Sequence, residues 1–308
     1  MPDKLDTSRP FTRAQARRAG IPDRVLRSRR FRRIFRTVLV SSDVPDSPWL
    51  IAQAALLLVP GPAWASHATA GRVHGFPLPA LPGEHVSVPE AGQRRRTDGV
   101  TCHLAPLTSH VVEVEGVLVS SAHQAFVELA GQLPLVDLVV VGDHLVRWGR
   151  TTPERLVAFC AESDHRHAGA AARAAAYVRR RVDSPMETRL RMLLVLAGLP
   201  EPEVNLVLAG ETGILGRKYD LSYPAIKVIV EYDGRHHIER EEQWESDLGR
   251  REEIDDAEWR ILVVTARGIH RDPEETVMRV WRLLRRRGLP GVPARPSDDW
   301  RAHFPVRR

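Results

Sequence analysis

Apolar positions recur with helical and with strand periods along this chain, and composition separates it into three stretches. In residues 11–44, "RAQARRA" follows Thr12, a residue suited to cap a helix, and stops at Gly20. "PDRVLRSRRF" begins a second short helix with Pro22 near its first turn, and "RRIFRTVLV" has the β-branched content of a strand. Helix, turn, helix and strand in some thirty residues is the outline of a winged helix-turn-helix.

Residues 45–183 predict an α+β middle region. "WLIAQAALLLV" has the apolar density of a buried helix, and "EHVSVPE" and "GVTCHLA" alternate as strands on either side of the basic turn "GQRRRTDG". "SAHQAFVELAGQ", "TPERLVAFCAES" and an alanine-rich run from His167 to Val182 predict further helices. His67, His74, His103, His110, His123, His165 and His167 are scattered here without a ligand spacing, so packing or exposure is expected of each rather than metal binding.

The third stretch is the most regular. Asp183 or Ser184 caps a helix with Pro185 at its first position and Glu187 in its first turn; Leu190, Leu193, Leu194 and Ala197 line one face, and Gly198 stops it. Strands follow at "EVNLVLA", "GRKYDLSY" and "KVIVEYDG", then a charged helix over 239–257, strand "RILVVT" and the amphipathic helix "PEETVMRVWRLLRRRG". The order α-β-β-β-α-β-α predicts one α/β domain with a mixed sheet flanked by helices. The expected division of the chain is therefore 1–44, 45–183, 184–288 and a Pro-rich tail over 289–308.

Composition narrows the class. The chain has 308 residues, 43% of them hydrophobic, as in a globular protein with real cores. Cys102 and Cys160 are too few and too far apart for a disulfide framework or a thiolate zinc site, and a reducing cytoplasm is the expected setting. No secretory h-region is visible at the N-terminus, and the apolar run Trp49 to Ala65 is broken by Gln53, Pro60, Gly61 and Pro62, which argues against a membrane span.

Charge points to an anionic partner. Lys and Arg outnumber Asp and Glu by 45 to 39. The excess is concentrated between Phe11 and Arg36, where ten arginines face one acid, Asp23. Arg27, Arg29, Arg30, Arg32 and Arg33, on a second helix and a wing, are the residues expected to reach phosphates of duplex DNA.

"KVIVEYDGRHH", Lys227 to His237, is the densest chemistry in the chain. A strand that is apolar at its start meets Glu231, Asp233, His236 and His237 at its end. The short turn after Tyr223 lets this strand pair with the one before it as a hairpin, which would set Asp220 across from Glu231 on one face. Two carboxylates so placed repel unless a cation lies between them, and oxygen ligands of this kind suit Mg²⁺, with Mn²⁺ as a substitute. Asp233, two residues beyond Glu231, falls on the same strand face, and so does Lys218 with Asp220.

Glu187 in the opening helix, Asp220, the run Glu231-Tyr232-Asp233-Gly234-Arg235-His236-His237, and Asp247 with Arg250 together resemble the nuclease domain related to very-short-patch repair endonucleases, of the PD-(D/E)xK superfamily. The resemblance spans residues 184–288. It implies a restriction-endonuclease-like sheet and a metal-dependent DNA endonuclease in which Asp220 and Glu231 hold Mg²⁺ and His237 assists as base or at the leaving oxygen. Glu187 would orient a water, while Asp247 and Arg250 would support the site or contact phosphate. The superfamily's lysine, two residues after the Glu, is here Asp233; Lys218 or His237 is expected to take its role. Residues 11–44 are similar to the winged helix that opens abortive-infection-type antitoxins. That second resemblance implies the alternative function, a non-catalytic DNA-binding regulator or antitoxin with a degenerate nuclease domain. Its partners would be DNA and, as open alternatives, a second copy of the chain or a toxin. An RNA-directed activity is disfavoured by the lack of an aromatic stacking platform.

Overall fold

A sheet begins almost at once, earlier than the sequence pattern predicts. The computed structural model describes residues 5–106, 108, 110–207, 218–234 and 258–305. Their contacts divide the chain into two units: residues 1–133 with 158–172, and residues 134–157 with 173–308.

The first unit opens with β1 (Phe11–Thr12), α1 (Arg13–Arg18), α2 (Asp23–Leu26), β2 (Phe31–Phe35) and β3 (Val38–Ser41). Thr12 caps α1 as expected, and Gln15 completes the capping box from the helix side. Two differences from the sequence reading matter. Helix α2 ends at Leu26, so Arg27, Arg29 and Arg30 follow the helix instead of lying on it. The single expected strand is a two-stranded antiparallel ribbon, β2 with β3, which β1 joins on the far side of β3. Phe11, Ala16, Leu26 and Leu39 form a small core beneath it.

Next come α3 (Pro48–Leu56), β4 (Trp64–Ala65), α4 (His67–Val73), β5 (Glu84–Val88), β6 (Val100–Leu104), β7 (Val111–Val114), β8 (Val117–Ser120) and α5 (Ala122–Leu129). The strands form one mixed sheet in the order β6-β5-β4-β8-β7. Strands β5 and β6 run parallel, so the basic segment between them is a crossover and not a hairpin turn. The β7–β8 hairpin closes on Glu115 and Gly116, both at positive φ, which is the turn geometry that matches strand twist.

Helix α6 (Leu135–Arg147) belongs to the second unit; α7 (Pro153–Glu162) and α8 (Ala168–Ala175) come after it. The alanine-rich helix is thus shorter than the run His167–Val182 predicts, because Tyr177 and Val178 take i−3 carbonyls and close the chain into turns. The second unit continues with α9 (Pro185–Leu196), β9 (Glu203–Val207), β10 (Lys218–Tyr223), β11 (Val228–Asp233), β12 (Arg260–Thr265), α10 (Ala266–His270) and α11 (Pro273–Arg286). Its sheet has the order β12-β11-β10-β9; β9, β10 and β11 are antiparallel and β12 lies parallel to β11.

This is a mixed α/β protein with mixed sheets flanked by helices, the class the sequence predicts. Ser184 caps α9 and Pro185 occupies its first turn, as expected. The segment 289–305, expected as a Pro-rich tail, buries Trp300 and Phe304 and donates from the Ser297 amide to the Ala197 carbonyl at the end of α9. Beneath α9, Arg191 is fully buried and paired at 3.0 Å with buried Asp143 of α6, while its other branch reaches Glu201 at 3.2 Å.

Candidate functional site

Strand β11 is central in its sheet, with β10 on one side and β12 on the other, and this accounts for the apolar run Val228, Ile229 and Val230. From Glu231 to Asp233 the strand becomes only half-buried as it leaves the core. The antiparallel register pairs Leu221 with Val230, and one further step of that register sets Asp220 beside Glu231. The hairpin expected from the sequence is therefore present.

Asp220 is held from across the ladder: its Oδ2 accepts from the Tyr232 amide at 2.8 Å, which leaves the other oxygen for a further partner. Burial pushes its carboxyl up to about 6, and although the Tyr232 amide opposes this, Glu187, Glu231 and Asp183 add repulsion in the same direction. Acids from α9, from the residue preceding its cap and from β11 thus act on one carboxylate. Glu187 is buried and fixed: its Oε2 accepts from the Asp183 amide at 2.9 Å and from Asn205 Nδ2 at 2.7 Å. Asn205 also donates to the Arg181 carbonyl at 2.6 Å, and both Asn205 and Arg181 have positive φ. Two non-glycine residues in the left-handed region beside one buried carboxylate are backbone strain concentrated at a single place.

Lys218, exposed on β10, pairs with Asp183, and Arg147 lies 3.9 Å from the same carboxylate. The cation that the sequence reading offers as a substitute lysine is therefore carried by the acid that caps the cluster. Asp233 sits at the β11 terminus opposite Thr265 of β12. His237, Asp247, Arg250 and the helix expected over 239–257 lie outside the described residues. The residues present suit an oxygen-seeking cation: Asp220 and Glu231 supply carboxylate oxygens, and a cation would relieve the repulsion that adds to burial in raising Asp220.

Of the N-terminal arginines, Arg27, Arg29, Arg30 and Arg33 are exposed. Arg32 is not available in the same way, because it bonds Asp46 at 2.8 Å and the Val44 carbonyl at 2.9 Å.

A second constellation is one that the sequence pattern does not predict. His67 at the start of α4, His85 on β5 and His103 on β6 come together in the first unit, with one ligand nitrogen from each within 4.8 Å of the others. Among the described residues this is the group of three metal-ligating side chains so arranged. His85 Nδ1 is 2.9 Å from His103 Nε2, and the His67 and His103 rings stack at 3.8 Å. Burial holds His67 down at about 2 and His103 at about 4, with the neighbouring imidazoles adding to the effect in both. Buried Glu128 accepts from the His67 amide at 2.7 Å and from Ser120 Oγ at 2.9 Å, and its burial pushes it up to about 7. The available signal was strand parity: His85 and His103 share a sheet face because β5 and β6 are parallel, with Ser87 opposite His103.

No protein-family model matches the chain. It is 25% identical over 249 residues to "Uncharacterized protein Rv2248" of Mycobacterium tuberculosis strain H37Rv, a match covering 80% of this chain and 91% of that protein. "Uncharacterized protein MT2308" of strain CDC 1551 matches to the same extent. Among solved structures, the chain is similar to the crystal structure of the RV2827C protein from M. tuberculosis, at 16% identity and a TM-score of 0.38, over 67% of this chain and 84% of that one.

Proposed function

We propose that the second unit is a metal-dependent DNA endonuclease whose cation is held by Asp220 and Glu231, and that the N-terminal helices and ribbon bind duplex DNA. The observation that carries this reading is the placement of Asp220: the antiparallel register sets it beside Glu231, and Glu187 and Asp183 lie close enough to act on the same half-buried carboxyl. Carboxylates brought together in this way repel one another, and a cation among them would relieve that repulsion.

Within the site, the Tyr232 amide fixes the orientation of Asp220. The Asn205 amide and the Asp183 amide hold Glu187, which places a hydrogen-bond acceptor at the inner edge of the acid group to orient a water. Lys218, paired with Asp183 at the rim, is the cation that would turn to a phosphate or leaving oxygen in the role that Asp233 cannot fill. When bound, Mg²⁺ or Mn²⁺ would supply Lewis-acid polarisation of the phosphodiester and a more acidic water. His237 is proposed as the assisting base, with Asp247 and Arg250 in support.

A second reading is favoured by one feature, Asp233 in the place of the superfamily lysine. It makes the protein a DNA-binding regulator or antitoxin with a relic site. Plasmid nicking with Mg²⁺, Mn²⁺ or EDTA separates the two. The nuclease reading expects metal-dependent nicking by wild type and none by Glu231→Gln, which keeps the shape and removes the charge. Wild type that binds DNA but neither nicks it nor is stabilised by either metal supports the regulator.

A further inference from the structure

We propose that His67, His85 and His103 form a binding site for a divalent cation of the zinc class, separate from the acid site of the second unit. The three side chains come from adjacent places in one sheet. Strands β4, β5 and β6 are neighbours; His85 and His103 project from the same face of β5 and β6, and His67 stands two residues after the end of β4, where α4 begins.

Chemistry restricts what such a group can be. All three imidazoles are buried or half-buried, and protonating any of them would place a cation against two rings within a few ångströms. The neutral imidazole is the form that offers a lone pair to a metal. The spacing is close to that of a bound ion. Two nitrogens on tetrahedral zinc at about 2.0–2.1 Å from the metal lie about 3.3 Å apart. His85 Nδ1 and His103 Nε2 are 2.9 Å apart and face one another, with ring centroids 5.2 Å apart and planes 15° from parallel, so the rings must tilt as well as separate by a few tenths of an ångström to admit an ion.

The outer partners are also those of a ligand set. Gln132 Nε2 lies against the His85 ring, 3.1 Å from Nε2 and 3.5 Å from Nδ1. On the other side, His67 Nδ1 is 3.1 Å from Ser66 Oγ and 3.7 Å from the Glu128 carboxylate, and Ser87 Oγ donates to Ser66 Oγ at 2.8 Å.

Two features go beyond what packing needs. His67 has a φ of +50° at the first position of a helix, a conformation that costs a non-glycine residue about 1–2 kcal/mol. A cavity of about 790 Å³ is lined by His67, His103, Glu128 and His165. Three protein nitrogens with an open side toward a cavity is the arrangement of a site that keeps a coordination position for water or a small ligand. Nitrogen donors select zinc and its neighbours over Mg²⁺.

The test uses the tag-free full-length protein, stripped with chelator and then titrated with Co²⁺ and Zn²⁺. Wild type is expected to bind one equivalent of Co²⁺ with the intense visible absorption of a four-coordinate ion, and Zn²⁺ should displace it. His103→Gln and His85→Gln should each lose about a hundredfold or more in affinity, the scale known for disturbed metal sites. Asp220→Asn should leave the intense four-coordinate Co²⁺ absorption unchanged, which separates this site from the oxygen-ligated acid group. If circular dichroism shows that a histidine variant is misfolded, X-ray absorption at the zinc edge of wild type reads the ligands directly. Three nitrogen donors at about 2.0–2.1 Å support the proposal. Absence of stoichiometric binding, unchanged affinity in a folded His103→Gln, or an oxygen-only shell overturns it.

Discussion

Replacing Asp220 by Asn should stabilise the metal-free protein at pH 8 while abolishing any metal-dependent activity. The Tyr232 amide can still donate to the side-chain oxygen of the substituted amide, so the 2.8 Å bond is kept while the charge is lost. The carboxyl titrates at about 6 in the folded chain against an ordinary value of 3.8. A folded value above the unfolded one means that the native state binds the proton more tightly, so stability falls as pH rises from about 4 to above 6 and the full penalty is present at pH 8. At about 1.4 kcal/mol per pH unit the gap corresponds to about 3 kcal/mol. The carboxyl is only half-buried, and screening by solvent reduces this to about 1–2 kcal/mol. For a unit of this size that is a rise in Tm of roughly 3–6 °C. Melting curves at pH 4 and pH 8, in EDTA and in Mg²⁺, make the comparison. The variant should gain at pH 8, gain little at pH 4, and lose the response to Mg²⁺ that wild type shows. A variant that melts below wild type at pH 8, or one whose gain is the same at both pH values, refutes the account of Asp220 as a strained acid awaiting a cation.

Arg191→Met should cost about 3–5 kcal/mol in urea unfolding, because Asp143 would be left charged and buried without its partner, whereas Arg191→Met with Asp143→Leu should recover most of the loss. Recovery by the double variant that is no better than either single change would show that packing, not charge, sets the cost. Reversal of Arg27, Arg29 and Arg30 to Glu should weaken duplex binding on all sequences alike and flatten its salt dependence, read by fluorescence anisotropy at several salt concentrations. Unchanged binding would move the DNA surface elsewhere.

Much of the second unit was legible because its signals are local. Ser184, Pro185 and Glu187 mark the start of α9 within four residues, and the change from Val230 to Glu231 marks where β11 leaves the core. Helix α6 was missed for the opposite reason. Its run of leucines and valines is what a buried strand also looks like, and only packing against α9 settles it as a helix. The ribbon of β2 and β3 reads as one strand in the sequence since Arg36 and Thr37 are not a strong turn pair, yet the partner β1 and the small core hold the reversal. The histidine group was invisible in spacing alone. Its members are 18 residues apart in each step, and what joins them is a parallel pairing that no short-range pattern announces.

The ion pair of Arg191 with Asp143 bears on how the chain is made. Asp143 lies in a segment that leaves the first unit at residue 134 and is followed, from 158 to 172, by a return to it. Neither unit is continuous, so on the ribosome the first cannot close until residue 172 has emerged. Helix α6 must meanwhile wait with its carboxylate unpaired for Arg191 to follow. Domains usually complete in order as they leave the tunnel, at about 5–20 residues per second. Here the waiting segment is α6, whose buried face of leucines and valines stays uncovered until α9 follows. A fragment cut to begin at residue 184 would carry the reverse defect, a buried guanidinium with Glu201 but without Asp143.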